Sequence, residues 1–180
     1  MIEKDVKSVL YTEEQLAEKV KEMGKQIAKD YEGKNLMLIS VLKGSVIFMA
    51  DLMRAIDAPL TIDFMAVSSY GSGTKTTGAV NILKDIDKDL SGFDVLIVED
   101  ILDSGVTLSY LTKHLMNKGA RSLKIATLLD KKERRKAPIY ADYYCFDVPD
   151  EFIVGYGLDY DQKYRNLPYI GILDPKVYTK

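Results

Sequence analysis

Histidine and cysteine each occur once in the chain's 180 residues. That excludes a metal centre built from imidazole and thiolate clusters, and it excludes an internal disulfide at Cys145. No staple is needed at this length, because a chain of this size buries roughly 70% of its unfolded surface on folding. Repeats, low-complexity tracts and linkers rich in proline, glycine or serine are also missing, so the sequence predicts one domain over residues 1–180. No apolar run approaches the ~18 residues of a membrane span. The opening Met1-Ile2-Glu3-Lys4-Asp5 has neither the basic start nor the apolar stretch of a signal peptide. A cytoplasmic protein with no membrane partner is expected, and a lone thiol suits that reducing compartment. The net charge of −2 provides no broad basic field for nucleic acid, so an anionic ligand must be held by a local site.

What is present is an alternation of apolar runs and amphipathic stretches. From Thr12 to about Tyr31, Leu16, Val20, Met23 and Ile27 recur on one helical stripe, and Thr12 with Gln15 forms a capping-box pattern. Leu36 to Val41 reads as a buried strand, Ser45 to about Ile56 as a helix, and Thr61 to Val67 as a strand. The polar stretch Ser68 to Gly78 is a long loop, and Ala79 to Leu83 a short strand returning from it. Asp94 to Val98 predicts a strand, near Ser104 to Lys118 a helix closed by Gly119, and Leu123 to Leu129 a strand. Tyr143 to Phe146, Phe152 to Tyr156 and Tyr169 to Leu173 complete the strand-rich remainder. Continuous apolar strands alternating with helices imply an α/β fold, a mostly parallel sheet covered on both faces. Ligands of such sheets bind beyond the carboxyl ends of the strands. Those ends deliver Leu42-Lys43-Gly44, Ser68-Ser69-Tyr70, Glu99-Asp100 and Asp130-Lys131.

The richest segment is Val95-Leu96-Ile97-Val98-Glu99-Asp100-Ile101-Leu102-Asp103-Ser104-Gly105-Val106-Thr107. Four apolar residues run into two acids, whose burial is costly unless hydroxyl donors or a hard divalent cation compensate them. The small, hydroxyl-bearing turn that follows opens a helix, whose free amides and dipole suit a phosphate. A Walker loop is excluded, since its Gly-Lys-Ser/Thr ending is absent. A turn of this kind also caps ordinary helices, with Asp103 as the cap. The acid pair beside it shifts the balance toward a ligand site.

Strand, Glu99-Asp100, two aliphatics and Asp103-Ser104-Gly105-Val106-Thr107 resembles the phosphoribosyl diphosphate (PRPP) signature of type I phosphoribosyltransferases. Further along the chain, Leu42-Lys43-Gly44 is similar to the pyrophosphate loop of the hypoxanthine-guanine branch, and Ser69-Tyr70 to its mobile lid. Leu128-Leu129-Asp130-Lys131 resembles its purine-reading strand end. Pro149 to Tyr160, with Arg165, resembles its base-clamping segment. The resemblance spans roughly residues 36 to 173. It implies transfer of a phosphoribosyl group from PRPP to a 6-oxopurine. It further implies a type I phosphoribosyltransferase fold, with a small cap from the N-terminus and roughly residues 140–180, and a homodimer or homotetramer.

Site roles follow from the same resemblance. Glu99 and Asp100 would hold the ribose hydroxyls directly or through Mg²⁺. Ser104, Gly105, Val106 and Thr107 would cradle the 5-phosphate, and Asp103 would be the base at purine N7. Lys131 would donate to O6, Phe152 would stack on the base, and the backbone of Ile153 would meet its edge. Asp159 would hold a Mg²⁺ that carries pyrophosphate, and Arg165 would neutralise the same leaving group. Lys43 and Gly44 would present amides to pyrophosphate across a peptide bond that can be cis. Ser69 and Tyr70 would close over the reacting centre. Lys132 to Lys136 reads as a solvated charged face, His114 as structural or partly exposed, and Cys145 as a buried small hydrophobe. Two alternatives stand beside this reading. One is a regulatory binder of PRPP or nucleotide that grips nucleic acid, for which a broad basic face is missing; the other is an enzyme preferring xanthine.

Overall fold

The computed structural model describes residues 2–69 and 80–179. Its first strand, β1 (Val6–Tyr11), leads into α1 (Glu13–Asp30). The start of α1 is pinned as the sequence predicts. The Thr12 hydroxyl accepts from the Gln15 amide at 3.3 Å, while the Gln15 side chain accepts from the Thr12 amide at 2.9 Å. Leu16, Val20, Met23 and Ile27 are all buried on its inner stripe.

Next come β2 (Leu36–Leu42), α2 (Val46–Ala55), β3 (Leu60–Ser69), β4 (Val80–Lys84), β5 (Asp94–Leu102), α3 (Val106–Asn117), β6 (Ser122–Asp130) and β7 (Tyr143–Asp147). The last elements are β8 (Ile153–Val154), β9 (Ile170–Leu173) and α4 (Pro175–Tyr178). Six strands form one sheet in the order β4-β3-β2-β5-β6-β7, parallel throughout except for β4. Alternate residues of its central strands enter different cores. Leu36, Leu38, Leu96 and Val98 pack under α1 and α2, while Met37, Ile39, Val95 and Ile97 pack under α3. Double coverage explains why β2 and β5 read as unbroken apolar runs. Among the described residues no helix is long and apolar enough to cross a membrane.

Three expectations need correction. The strand through Val98 does not stop at the acids: β5 runs to Leu102, so Glu99 and Asp100 lie inside the ladder, and Glu99 pairs in register with Thr127. The strand expected over Phe152 to Tyr156 shrinks to Ile153–Val154, because the next residues turn, with Tyr156 at φ 48° and Gly155 at φ 100°. Finally, β1 was not anticipated. It pairs with β9, which pairs with β8, in a separate three-stranded antiparallel sheet.

Candidate active site

In the large sheet the chain steps from β2 to β3 on one side, while β5 lies on the other side of β2. Where the winding reverses, the carboxyl ends of β2 and β5 diverge and leave a crevice. A cavity of about 330 Å³ occupies that position. Lys43, Gly44, Glu99, Asp100, Asp103, Ser104, Gly105, Thr107, Asp159 and Arg165 are among its lining residues. Its floor is close-fitting. A side chain on Gly44 would place Cβ 1.7 Å from Oδ2 of Asp100, and one on Gly157 would stand 2.0 Å from the Gly44 carbonyl oxygen. Glycine at both positions lets the Asp100 carboxylate lie against the Gly44 backbone and lets the 157 turn meet that backbone directly. The Leu42–Lys43 peptide bond is cis.

The turn after β5 carries no side-chain cap for α3. The N-cap position is Gly105, at φ 75°, and only the Ser104 hydroxyl reaches the first amide, that of Val106, at 3.4 Å. Asp103 is therefore not the helix cap. The amides that open α3 face the cavity's end of the turn with a positive dipole, as an anion site requires.

The turn is held from behind by Arg135. Its Nε donates to the Asp103 carbonyl at 2.9 Å, Nη1 to the Ile139 carbonyl at 2.6 Å and Nη2 to the Leu102 carbonyl at 3.3 Å. Nη2 also pairs with the buried carboxylate of Asp130. The amides of Lys136 and Ala137 donate to the Ser104 carbonyl at 2.9 and 3.1 Å. The sequence reading placed Arg135 on a solvated face; its side chain is only 11% exposed. A guanidinium can be buried when its fork meets several acceptors at once, and here one carboxylate and three carbonyls do so.

Glu99 and Asp100 set the electrostatics of the crevice. Burial pushes the Glu99 carboxyl well above the usual carboxylate range, and the neighbouring Asp100 adds to the rise. Burial also pushes Asp100 up to about 6, against the hydrogen bond from the Ile101 amide (2.7 Å) and the attraction of Arg165. Across the cleft Arg165 is already engaged: Nη2 pairs with Asp159 Oδ1 at 2.8 Å, and Nη1 donates to the Gly157 carbonyl at 2.7 Å. Gln162, which sequence reading passed over, joins this group. Its amide donates to Asp159 Oδ2 at 2.9 Å, and its side chain accepts from Lys43 Nζ at 3.2 Å. The φ of 62° at Gln162 is uncommon for a side-chain-bearing residue.

A consequence can be measured on the ligand-free protein. Asp100 ionises near 3.8 in an unfolded chain and near 6 here, so its contribution is fully present below pH ~4 and is lost as pH rises through about 6. The Asp100 part of the thermal-melt profile should therefore fall as pH rises from near 4 to above 6. Asp100→Asn should flatten the Asp100 part of that slope and raise the Tm at pH 7. Identical pH profiles for variant and wild type would show that the carboxyl is not strained by burial.

A second cavity, about 320 Å³, adjoins the first. Ile101, Asp103, Lys131, Phe152, Ile153 and Asp159 help to line it, and Ile101, Asp103 and Asp159 belong to both. Lys131 is 6% exposed, and its ammonium donates to the Glu151 carbonyl at 2.8 Å. Arg134, assigned to the solvated face, lines this cavity as well and is paired with Asp150. Oδ1 of Asp103 is buried without a hydrogen-bond partner. A buried carboxylate oxygen left unpaired is costly, which sets Asp103 apart on the wall between the two cavities.

Of the residues singled out from the sequence, Val106 begins α3 and lines neither cavity. Ser69 ends β3, and Tyr70 lies outside the described residues. His114 is part-buried and within 2.9 Å of the Asp85 carboxylate. Cys145 is half-buried rather than buried, and burial raises its thiol.

A doubly covered parallel sheet, with part-buried acids and an open helix start at its switch point, defines an α/β protein whose crevice suits a phosphorylated ligand. The phosphoribosyl transferase domain model matches residues 8–161, and the chain belongs to that family. It is 55% identical, over 100% of both chains, to a hypoxanthine-guanine phosphoribosyltransferase of Streptococcus thermophilus. The crystal structure of a hypoxanthine phosphoribosyltransferase from Staphylococcus aureus superposes with a TM-score of 0.96 at 53% identity, covering 99% of this chain and 97% of that one. A hypoxanthine-guanine phosphoribosyltransferase from Bacillus anthracis gives 0.89 at 54% identity, covering 93% and 99%. The fold is the type I phosphoribosyltransferase fold.

Proposed function

We propose that this chain transfers the 5-phosphoribosyl group of PRPP to hypoxanthine or guanine, yielding IMP or GMP and pyrophosphate. The observation that carries this reading is the pair of adjoining cavities with Asp103 on the wall they share. One has the chemistry of a sugar phosphate site and the other that of an oxopurine site, so their junction is where C1′ and N9 would meet.

In this reading the phosphate rests on the turn from Ser104 to Thr107, where the only side-chain contact to an amide is the long one from Val106 to the Ser104 hydroxyl. Glu99 and Asp100 accept from the ribose hydroxyls, and the Asp100 carboxylate, ionised above about pH 6, favours the cationic sugar that forms as the bond from C1′ to pyrophosphate breaks. N9 attacks C1′ while the N7 proton passes to the unpaired oxygen of Asp103. Lys131, held by the Glu151 carbonyl, turns a remaining proton to O6; adenine would set an amino donor against that proton and leave it without an acceptor. Arg165 and the amides at Lys43 and Gly44 receive the departing pyrophosphate.

The donor set suits Mg²⁺. Glu99, Asp100 and Asp159 offer hard oxygens in the crevice, yet among the described residues no group of three acidic, histidine or cysteine side chains is gathered to hold a metal alone. Such a site fits an ion that keeps water and takes substrate oxygens as its remaining ligands. Bound with PRPP, the ion would neutralise charge on the leaving pyrophosphate. The three-stranded sheet is read as the cap of a single domain over residues 1–180, in a cytoplasmic homodimer or homotetramer.

The deciding experiment is an assay of pyrophosphate release with PRPP, Mg²⁺ and each purine in turn. Turnover is expected with hypoxanthine and guanine and not with adenine. No release with either oxopurine would overturn the proposal.

A further inference from the structure

We propose that Tyr178 is a base-binding residue, so that α4 is part of the purine site. This rests on reading the second cavity as that site. Tyr178 lines the cavity together with Ile101, Lys131 and Phe152. Its ring centroid is 5.1 Å from that of Phe152, with the planes 29° apart. Tyr160 meets Phe152 edge-on at 5.4 Å and 88°, and lies 6.3 Å from Tyr178. The three rings form one aromatic cluster, of which Phe152 and Tyr178 line the cavity, although only Phe152 was legible as a stacking residue.

The backbone brings Tyr178 there by a short route. The Leu173 amide donates to the Phe152 carbonyl at 2.8 Å, which ties β9 to the start of β8. β9 then passes directly into α4. Asp174 begins that helix, its carboxylate accepting from the Lys176 amide at 3.0 Å and its own amide donating to the Asp5 carbonyl at 2.8 Å. No residue of α4 is buried. Tyr178 is part-buried, packed against the small core of Val154, Tyr164, Leu167 and Leu173, and it also lines the cavity; a purine there presents two π faces, and an aromatic neighbour adds contact beyond simple burial. Among the described residues the phenol makes no hydrogen bond, so the ring itself is the functional group.

The test is steady-state kinetics of the full chain with hypoxanthine and PRPP, alongside calorimetry with IMP. Tyr178→Ala should raise the KM for the base about three- to tenfold, the range expected for one lost stacking contact, and weaken IMP to a similar degree. The KM for PRPP should move less than twofold. Tyr178→Phe should restore the base KM to within twofold of wild type. An unchanged or lowered base KM in Tyr178→Ala would overturn the assignment, as would equal shifts for both substrates or failure of the phenylalanine to restore binding. Wild-type protein without turnover on either oxopurine would overturn the purine-site reading and this inference together; an active wild type with an indifferent Tyr178→Ala would overturn this inference alone.

Discussion

Asp103→Asn is expected to lower kcat by roughly 10²–10⁴, the usual weight of a positioned general base, while PRPP binding measured by calorimetry stays within a few-fold. The asparagine keeps the shape of the wall between the two cavities and removes its charge and its capacity to take a proton. Two features single out this carboxyl. It borders both cavities, and its Oδ1 is buried with no partner. The structure also removes the simpler explanation that Asp103 is there to cap α3, because Gly105 holds that position. If kcat of the variant stays within a few-fold of wild type, the proton leaves N7 by another route.

Arg135→Ala is expected to cost about 3–5 kcal/mol, the range for removing one partner of a buried ion pair. For a chain of this length that corresponds to a fall in Tm on the order of 10 °C. The loss has two parts. Asp130, 4% exposed, keeps a charge with no counterion, the carbonyls of Asp103 and Ile139 lose their donor, and that of Leu102 keeps only the Lys131 amide. Arg135→Lys separates them. A lysine can still face Asp130 but cannot fork to three carbonyls, so the Tm should recover in part while PRPP binding stays weaker than in wild type. Thermal melts and PRPP calorimetry on both variants give the comparison. Wild-type Tm in Arg135→Ala would show that the guanidinium does not brace the turn.

Local signals made much of the architecture readable. The stripe from Leu16 to Ile27 with its capping box specifies α1, since a helix needs only its own period and its own cap. The unbroken run at Leu36 to Val41 marks a strand covered on both faces. Glu99-Asp100 and the turn that follows stand out because acids after an apolar strand are costly without a ligand. Arg135 and Tyr178 escaped for a shared reason. A charge run looks solvated and a tyrosine near a helix looks incidental unless the distant acceptors and rings are known. The pairing of β1 with β9 was hidden likewise, because it joins Val6 to Leu173 and no local pattern encodes so distant a partner.

From its amino acids alone this protein was committed to an alternating α/β sheet with acids, lysines and a phosphate turn at one edge, because strand period, helix period and turn chemistry act over a few residues. Tertiary structure decided which of those groups share a cavity. Gly44 against Asp100, Gly157 against Gly44, Arg135 behind the Asp103 turn and Tyr178 beside Phe152 are contacts between segments far apart in the chain. They exist only once the sheet order has placed β2 beside β5 and β9 beside β8, since close packing, unlike periodicity, depends on neighbours that the chain brings together last.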